Sequence, residues 1–411
     1  MPHVPRCLVH SLLIPLRLVL LVVTIPPSIA AQSTRAEPAR ELAPGVSYRH
    51  VADARGPWSI HVVRVDLRRA AVDLQAARAG ATLRGRERTS AMASRVSTAG
   101  ARVLAAVNAD FFDLKSGENE NNQVLAGDWW KGLKVTESPF DTYDNIHAQF
   151  AMDAVGHPII DRFMLEGKAW VRGAMTPIIT LNANPSGAPE GTALYTARFG
   201  ATTPRDTTRQ TAEAALVSAG RRGDTLLYVR RGPVVAASGS TIPSDGAVLA
   251  AYGARMKEVQ AMGDGDTVRV MLATVPRMPS GATPTLIIGG WPRILRDGVN
   301  VAGDAATTEG TISRNAEVRH PRTAVGYSRD GRTLWLYVVD GRSTASVGMT
   351  LVEMADDLKR LGAWQAMNFD GGGSTTMVID GTVVNTPSDP TGEREVGNAL
   401  LIVAKPRGRS R

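Results

Sequence analysis

The 411-residue sequence contains only one cysteine, Cys7. It contains seven histidines, and none of them stands in a zinc-type spacing such as H-E-x-x-H. If the N-terminal segment is removed, the mature chain has no thiol, no disulfide and no metal site built on cysteine. The sequence therefore predicts no cofactor and no metal, although calcium bound by oxygen atoms alone stays open.

The apolar run near the N-terminus is too short to be a membrane helix. Its densest part covers residues 18–25, after Arg17, and it is followed by Pro26, Pro27 and the small residues of 28–31. A spanning helix needs roughly 20 apolar residues. We expect a signal peptide over 1–31, cleaved near Ala30 or Ala31, with export to the periplasm or the extracellular space. After cleavage, no stable membrane insertion is expected.

Acidic residues are outnumbered by basic ones, 39 to 47, which gives a net charge of +8. A basic surface favours anionic partners, such as a phosphorylated or otherwise anionic glycan. An arginine-rich proteome is the alternative interpretation. The sequence has no zinc finger, no aromatic–basic pattern and no recognition-helix signature, so nucleic acid is not an expected partner.

Helical periodicity is scarce, whereas short β-branched runs between Gly, Pro and Asp are frequent. These runs predict strands at 59–65, 103–107, 225–230, 267–272 and 334–339, with a hairpin turn at 221–224. Helices are predicted at 89–99, 245–262 and 350–361, and Thr350 with Glu353 forms a capping box for the last one. The predicted fold is α+β: a mixed, strand-rich twisted sheet with a few packed helices. It occupies 45–404 as a single domain, between a flexible lead-in at 32–44 and a basic tail at 405–411.

Three segments carry residues suited to chemistry. In the first, Asn108 and Asp110 follow a predicted strand and precede a polar loop at 116–123, where they could line a pocket. Asn and Asp also end strands as turn formers, which is the alternative.

The second segment is a predicted hairpin that runs from His320 to Arg342. Arg322 opens its first strand, and Asp340, Gly341 and Arg342 follow its second, so these residues meet at one end of the hairpin. A guanidinium there can bind phosphate with two hydrogen bonds. A surface Arg–Asp pair is the alternative.

The third segment places Asp370 directly before Gly371, Gly372 and Gly373, with Ser374 and Thr375 after them. Three successive glycines indicate a close approach or a positive φ. Their N–H groups can form a nest for a phosphate, beside a carboxylate that could serve as nucleophile or base. The alternative is a flexible hairpin.

Together these motifs resemble one family. PRTAVG, VVDGR, GMTLVEMADDL, NFDGGGSTTMV, VVNTPSD and REVGNALLIV, all between residues 321 and 402, closely resemble the phosphodiester glycosidase family. NADFF resembles that family's Asn-Gly-Gly-Phe-Phe segment, with Ala109 and Asp110 in place of the glycines. The core motifs span 103–128 and 320–402. The family includes the enzyme that removes an outer N-acetylglucosamine from mannose 6-phosphate on lysosomal glycoproteins.

The resemblance implies an exported hydrolase that cleaves a sugar from a glycosyl phosphodiester or a related glycan. Asp370 would be nucleophile or base, Arg322 would bind phosphate, and Asp340 would orient an arginine or act as partner carboxylate. The remaining positions that the resemblance implies to bind substrate are Asn108, Gly341, Arg342, Gly371, Gly372, Gly373 and Ser374, with Thr375 and Arg394 as second-line candidates. Asp110, which departs from the family pattern, is a further candidate for substrate binding. Glu353 and Asp389 also match the family, but a capping box and a turn account for them.

Two other functions stay open at this point. One is a non-catalytic glycan-binding or exopolysaccharide-assembly protein with the same fold. The other is a metal-dependent phosphodiesterase that uses the loop from Asp110 to Glu120 as ligands.

Overall fold

The computed structural model describes residues 1, 3 and 34–405, apart from 135, 138–141, 144–146, 186–189, 282 and 310–316. The chain divides into two compact units, Met1–Ser33 and Thr34–Arg411. The predicted signal peptide, except Met1 and His3, and the predicted basic tail, except Lys405, lie outside the described residues. None of the helices in the described part of the chain has the length and apolar character of a membrane span.

Strands dominate the second unit, and they are numbered here in chain order. Among the described residues, one sheet has nine strands in the order β1-β3-β4-β26-β25-β27-β23-β24, with β2 also paired to β3. These strands are Arg35–Ala36 (β1), Arg40–Ala43 (β2), Val46–Asp53 (β3), Trp58–Asp66 (β4), Arg293–Arg296 (β23), Val299–Asn300 (β24), Arg322–Tyr327 (β25), Thr333–Val339 (β26) and Gln365–Asn368 (β27). We call this the main sheet.

A second, five-stranded sheet has the order β29-β28-β7-β31-β5 within the described chain. Its strands are Val72–Arg78 (β5), Val103–Asn108 (β7), Met377–Ile379 (β28), Thr382–Val383 (β29) and Asn398–Ala404 (β31). Two short antiparallel pairs stand apart: Glu87–Arg88 (β6) with Glu395–Val396 (β30), and Thr136–Glu137 (β10) with Thr142–Tyr143 (β11).

The third sheet is the largest, with thirteen described strands in the order β13-β12-β22-β8-β9-β16-β17-β20-β18-β19-β21-β14-β15. They are Gln123–Leu125 (β8), Asp128–Leu133 (β9), Gln149–Met152 (β12), Pro158–Asp161 (β13), Met164–Val171 (β14), Ala174–Ile178 (β15), Thr180–Leu181 (β16), Gly191–Thr196 (β17), Thr211–Arg222 (β18), Thr225–Arg230 (β19), Gly246–Tyr252 (β20), Thr267–Val275 (β21) and Leu286–Gly289 (β22). Of the described pairings, only β16 with β17 is parallel.

Helices are few among the described residues: Thr89–Val96 (α1), Met256–Gln260 (α2), Ala305–Thr308 (α3) and Leu351–Leu361 (α4). Short 3-10 turns lie at Gly253–Arg255, Ala302–Asp304 and Gly372–Ser374. The strand-rich prediction is confirmed. The α+β class fits only loosely, because the helices are few and short and the fold is mostly β, with several sheets instead of the single sheet expected.

The main sheet and the five-stranded sheet face each other across one apolar core. Val63 and Leu336 of the main sheet and Leu104 and Leu400 of the other sheet belong to the same buried cluster. α4 covers the outer face of the main sheet, and α1 covers the outer face of the five-stranded sheet. The first two sheets therefore form two inner layers between two helices, and the largest sheet has its own core.

All five runs predicted as strands are strands, and the hairpin predicted at 221–224 joins β18 to β19. The capping box is present, because Thr350 Oγ1 accepts from the Glu353 N–H at 3.1 Å and Glu353 Oε2 accepts from the Thr350 N–H at 2.9 Å. The segment predicted as a flexible lead-in holds β1 and β2, which pair with β3.

The predicted helix at 245–262 is wrong over most of its length. Its first half is β20, held between β17 and β18, and only Met256–Gln260 is α-helical. β20 is buried on both faces, so its apolar residues run continuously. Such a run is not distinguishable from a buried helix by periodicity alone.

Candidate active site

The predicted site residues lie where three strands of the main sheet end together. β25 pairs antiparallel with both β26 and β27, with Arg322 opposite Val339 and Ala324 opposite Asn368. The start of β25 therefore lies beside the ends of its two neighbours. Asp340 follows β26 and Asp370 lies two residues after β27, so both lie at this same edge. For Arg322 and Asp340, this is the arrangement that the sequence predicted from the hairpin.

Asn108, at the end of β7, ties the two facing sheets together. Its Oδ1 accepts from Thr323 Oγ1 at 2.7 Å and from the Thr376 N–H at 3.1 Å. Its Nδ2 donates to the Asp370 carbonyl at 2.6 Å. The side chain is buried. The resemblance implied a substrate-binding role, but both ends of this amide are engaged within the protein, beside the backbone of Asp370.

Asp370 follows β27, and hydrogen bonds fix both its backbone and its side chain. Its N–H donates to the Ala109 carbonyl at 2.7 Å, and its Oδ1 accepts from the Gly371 N–H at 2.8 Å. Burial raises the pKa of this carboxyl to about 6, although the hydrogen bonds from Ser374 and Gly371 and the charges of Arg394 and Arg322 act in the opposite direction. A carboxyl that titrates near neutral pH is suited to proton transfer.

Each of the three glycines after Asp370 admits a close neighbour. A Cβ on Gly371 would lie 2.8 Å from the Pro321 carbonyl oxygen. Gly372 has φ +62°, and a Cβ there would lie 2.8 Å from Arg342 Nη2. A Cβ on Gly373 would collide with the Asp389–Arg394 pair. The predicted close approach and positive φ are therefore present.

The predicted N–H nest is largely engaged within the protein. The Gly371 N–H donates to Asp370 Oδ1 at 2.8 Å, and the Gly372 N–H donates to the Pro321 carbonyl at 2.9 Å. The Ser374 N–H donates to the Gly371 carbonyl at 3.2 Å. Because they donate to protein oxygens, the N–H groups of Gly371 and Gly372 do not form the predicted binding site for a phosphate in this arrangement.

Two arginines stand at the same edge in different environments. Arg322 is buried, and its Nε and Nη2 donate to the carbonyls of Met349 and Val318 at 3.1 and 2.8 Å. Burial and the charge of Arg342 lower the pKa of Arg322 to about 10, so it remains a cation at neutral pH. Arg342 is exposed, has φ +61°, and its Nη1 lies 3.3 Å from Ser388 Oγ.

Arg394 forms a fixed pair with Asp389. Its Nε and Nη2 donate to the two Asp389 oxygens at 2.7 and 2.9 Å, and its Nη1 lies 3.4 Å from Ser374 Oγ. Asp389 thus holds a guanidinium against Gly373. Thr375 is buried, and its Oγ1 has no hydrogen-bond partner among the described residues.

Asp340 contacts no arginine among the hydrogen bonds and ion pairs of the described residues. Its Oδ1 accepts from the Thr386 N–H at 2.9 Å and from Asn385 Nδ2 at 3.1 Å, and its Oδ2 lies 3.4 Å from His61 Nε2. It therefore fastens the loop that continues to Ser388 and Asp389. Gly341 allows the chain to pass Pro321, since a Cβ there would lie 2.6 Å from the Pro321 nitrogen.

The sequence offered Glu120 only as the end of a possible metal-ligand loop and not as a residue of the glycosidase site. Burial, followed by the charges of Asp110 and Asp370, raises the pKa of Glu120 to about 7. Burial also raises the pKa of Asp110 to about 7, although Asn121 donates to it at 2.7 and 3.1 Å. The charges of two other carboxyl groups therefore act on Glu120. The polar loop at 116–123 was the available signal, but the sequence did not show which of its residues is affected by the charge of Asp370.

His320 is a second residue that the sequence did not single out for the site. Burial, then the charges of Arg322 and Arg342, lower the pKa of its imidazole. Its Nδ1 has no hydrogen-bond partner among the described residues. A neutral imidazole beside two arginines can accept a hydrogen bond as well as donate one.

No group of three or more His, Cys, Asp or Glu side chains is arranged to hold a metal ion in the part of the chain that the structure describes.

Residues 215–403 match the model of the phosphodiester glycosidase family. The resemblance predicted from the motifs is confirmed, and the match extends N-terminally beyond the 320–402 motifs, whereas NADFF lies outside it.

The curated relatives named N-acetylglucosamine-1-phosphodiester alpha-N-acetylglucosaminidase include a mouse and a human protein. The mouse protein is 41% identical over 86 residues, which is 21% of this chain and 16% of that protein. The human protein is 27% identical over 223 residues, which is 53% of this chain and 41% of that protein. This chain thus spans less than half the length of either relative.

The fold also occurs in a solved structure from Burkholderia pseudomallei. That structure is 20% identical, has a TM-score of 0.68, and the match covers 90% of this chain and 97% of that one.

Proposed function

We propose that this protein is an exported hydrolase that cleaves the glycosidic C–O bond of a glycosyl phosphodiester or a related anionic glycan. The observation that carries the proposal is the convergence of Asp370 with Arg322 and Arg342 at one edge of the main sheet. A carboxylate beside two cations suits a substrate with an electrophilic carbon next to a phosphate. The match of residues 215–403 to the phosphodiester glycosidase family supports the same class.

The proposed roles follow from charge. Phosphate leaves as an anion when the C–O bond breaks, so its departure needs positive charge more than a strong general acid. Arg342 is exposed beside Gly372 and would meet that phosphate directly, while buried Arg322 supplies positive charge behind it. Asp370 would then act at the anomeric carbon as nucleophile or base.

Glu120 completes the pair of carboxyl groups that most glycosidases use. Burial, and then the charges of Asp110 and Asp370, raise the pKa of Glu120 to about 7, whereas burial raises the pKa of Asp370 to about 6. In the proposed mechanism Glu120 is therefore the protonated group and Asp370 the ionised one. The two groups can therefore share the acid and base roles near neutral pH. Asn108, Asp340 and Asp389 are proposed to position this site, through the contacts described above.

The test is a screen of glycosyl-1-phosphate diesters against the purified mature protein, with release of the free sugar measured by chromatography. We expect hydrolysis by the wild type, without added metal and in the presence of a chelator, and loss of hydrolysis in Asp370→Asn. Binding of the diesters without any turnover would show instead a non-catalytic glycan-binding protein. Loss of activity with the chelator that is restored by calcium would show an oxygen-rich metal site.

A further inference from the structure

The largest sheet encloses a cavity that none of the proposed active-site residues lines. Along the sheet, β9 and β14 are far apart in order, yet they contact each other, and β15 contacts β17. The part of the sheet that runs from β9 through β20 to β15 in sheet order therefore curls around a common interior. A cavity of about 270 Å³ opens at one end of this interior. Mouths of β-barrels are frequent ligand sites.

The inward faces of the strands change from apolar to polar at this end. In β18, Ala214 and Leu216 are fully buried, and the next residue on the same face, Ser218, lines the cavity. In β17, Thr196 follows Leu194 in the same way, and both line the cavity. The apolar core thus ends in a hydroxyl-bearing rim.

A β-bulge adds a cation to this rim. Ser218 pairs with Tyr228, but the register then shifts, so Arg221 pairs with Leu226. Without the bulge, Gly220 would stand opposite Leu226. Directly paired residues share one face of a sheet, so the bulge puts Arg221 on the cavity face, where Leu226 and Tyr228 also lie.

Donors and acceptors alternate around the opening. Asp128 lies between two arginines: Arg198 Nη2 donates to its Oδ2 at 3.2 Å, and Arg221 Nη1 lies 3.6 Å from its Oδ1. Trp129 lies on the cavity wall, and its indole N–H has no hydrogen-bond partner among the described residues. Two further carboxylates, Asp224 and Asp245, also line the cavity. The cavity is therefore lined by three carboxylates and two arginines, and this excess of negative charge disfavours the binding of an anionic ligand.

We propose that this cavity binds one neutral sugar residue. Sugar hydroxyls both donate and accept, so they suit a rim that offers guanidinium, carboxylate and hydroxyl groups side by side. The apolar face of a sugar ring suits Trp129 and Tyr228, whose rings are apolar but carry a polar tip. The volume lies just below the range of about 300–1,000 Å³ typical of drug-sized ligands, so it fits a single ring. The proposal does not depend on hydrolysis at Asp370.

The test is NMR of the full chain with labelled leucine methyl groups. The probes are the methyl α-glycosides of glucose, mannose and galactose, and N-acetylglucosamine, with glucuronate as an anionic comparison. We expect at least one neutral sugar to shift the methyl signals of Leu226 and Leu272, which line the cavity, but not those of Leu358 in α4. Arg221→Met should weaken that binding about fivefold to tenfold.

Ala197→Trp is the blocking variant, because Ala197 is exposed and lines the cavity. It should abolish the shifts and leave hydrolysis of a small diester unchanged. Ala71→Trp is the control, since Ala71 is also exposed but lies in the loop before β5. The proposal is overturned if no neutral sugar shifts these signals at about 50 mM, a very weak affinity. It is equally overturned if only glucuronate does, or if binding survives in Ala197→Trp.

Discussion

Removal of the Asn108 side chain should destabilise the protein far more than the loss of a ligand contact would. In Asn108→Ala, three buried hydrogen bonds disappear: those with Thr323 Oγ1, with the Thr376 N–H and with the Asp370 carbonyl. Each bond contributes about 1 kcal/mol net, and each buried partner left without a hydrogen bond costs about 1–3 kcal/mol. With three partners in the lower half of that range, we expect the free energy of unfolding to fall by about 3–5 kcal/mol, a large part of the usual total of about 5–15 kcal/mol.

The assay is urea unfolding followed by intrinsic fluorescence, with the slope of the transition compared between variants so that a change in midpoint reports stability. Thr323→Val is the matched control. It keeps the side-chain shape and removes only the bond to Asn108, so it should cost about 1 kcal/mol. The reasoning is refuted if Asn108→Ala unfolds within about 0.5 kcal/mol of the wild type. Weakened substrate binding at unchanged stability would restore Asn108 as a ligand.

Three further outcomes are expected. Gly372→Ala should lower both stability and turnover more than Gly381→Ala does. Both glycines have positive φ, but only at Gly372 would the new Cβ meet Arg342. Equal effects of the two substitutions would contradict this. Turnover should be maximal between about pH 6 and pH 7, because Asp370 acts in its ionised form and Glu120 in its protonated form. Glu120→Gln should abolish the decrease in turnover above pH 7. If that decrease is unchanged in the variant, Glu120 has no part in the mechanism. Mass spectrometry of the protein secreted by a bacterial host should place the N-terminus near Ala31 or Gln32, and detection of Cys7 in the mature chain would contradict export by a cleaved signal.

Local patterns predicted the elements whose signals are complete within a few residues. β26 could be predicted because its run of apolar residues is short and rich in aliphatic and β-branched residues, and α4 because its capping box and Gly362 mark both ends. β20 could not be predicted in the same way. Its apolar residues are set by burial on both faces between β17 and β18, which only the tertiary arrangement reveals.

The candidate site likewise contains features that local patterns predicted and features that only the tertiary arrangement reveals. The hairpin geometry predicted that Arg322 and Asp340 meet at one edge, because register is a local property of paired strands. The contribution of Glu120 depends on the fold of a polar loop around Asp110, and no periodicity records it. The engagement of the Gly371 and Gly372 N–H groups also depends on neighbours, one of which, Pro321, lies about fifty residues away in the sequence.

The most direct test of the account separates turnover from phosphate binding in two variants. Asp370→Asn should lose turnover yet still bind a sugar 1-phosphate, measured by calorimetry. Arg342→Met is preferable to a change at buried Arg322, because Arg342 is exposed and its loss leaves no cavity. It should weaken sugar 1-phosphate binding about tenfold to a hundredfold, the effect of about one charged hydrogen bond. Arg68→Met, an equal change of charge at another exposed position, should leave both properties unchanged. Near-normal turnover in Asp370→Asn, or unchanged phosphate affinity in Arg342→Met, would contradict the proposed site.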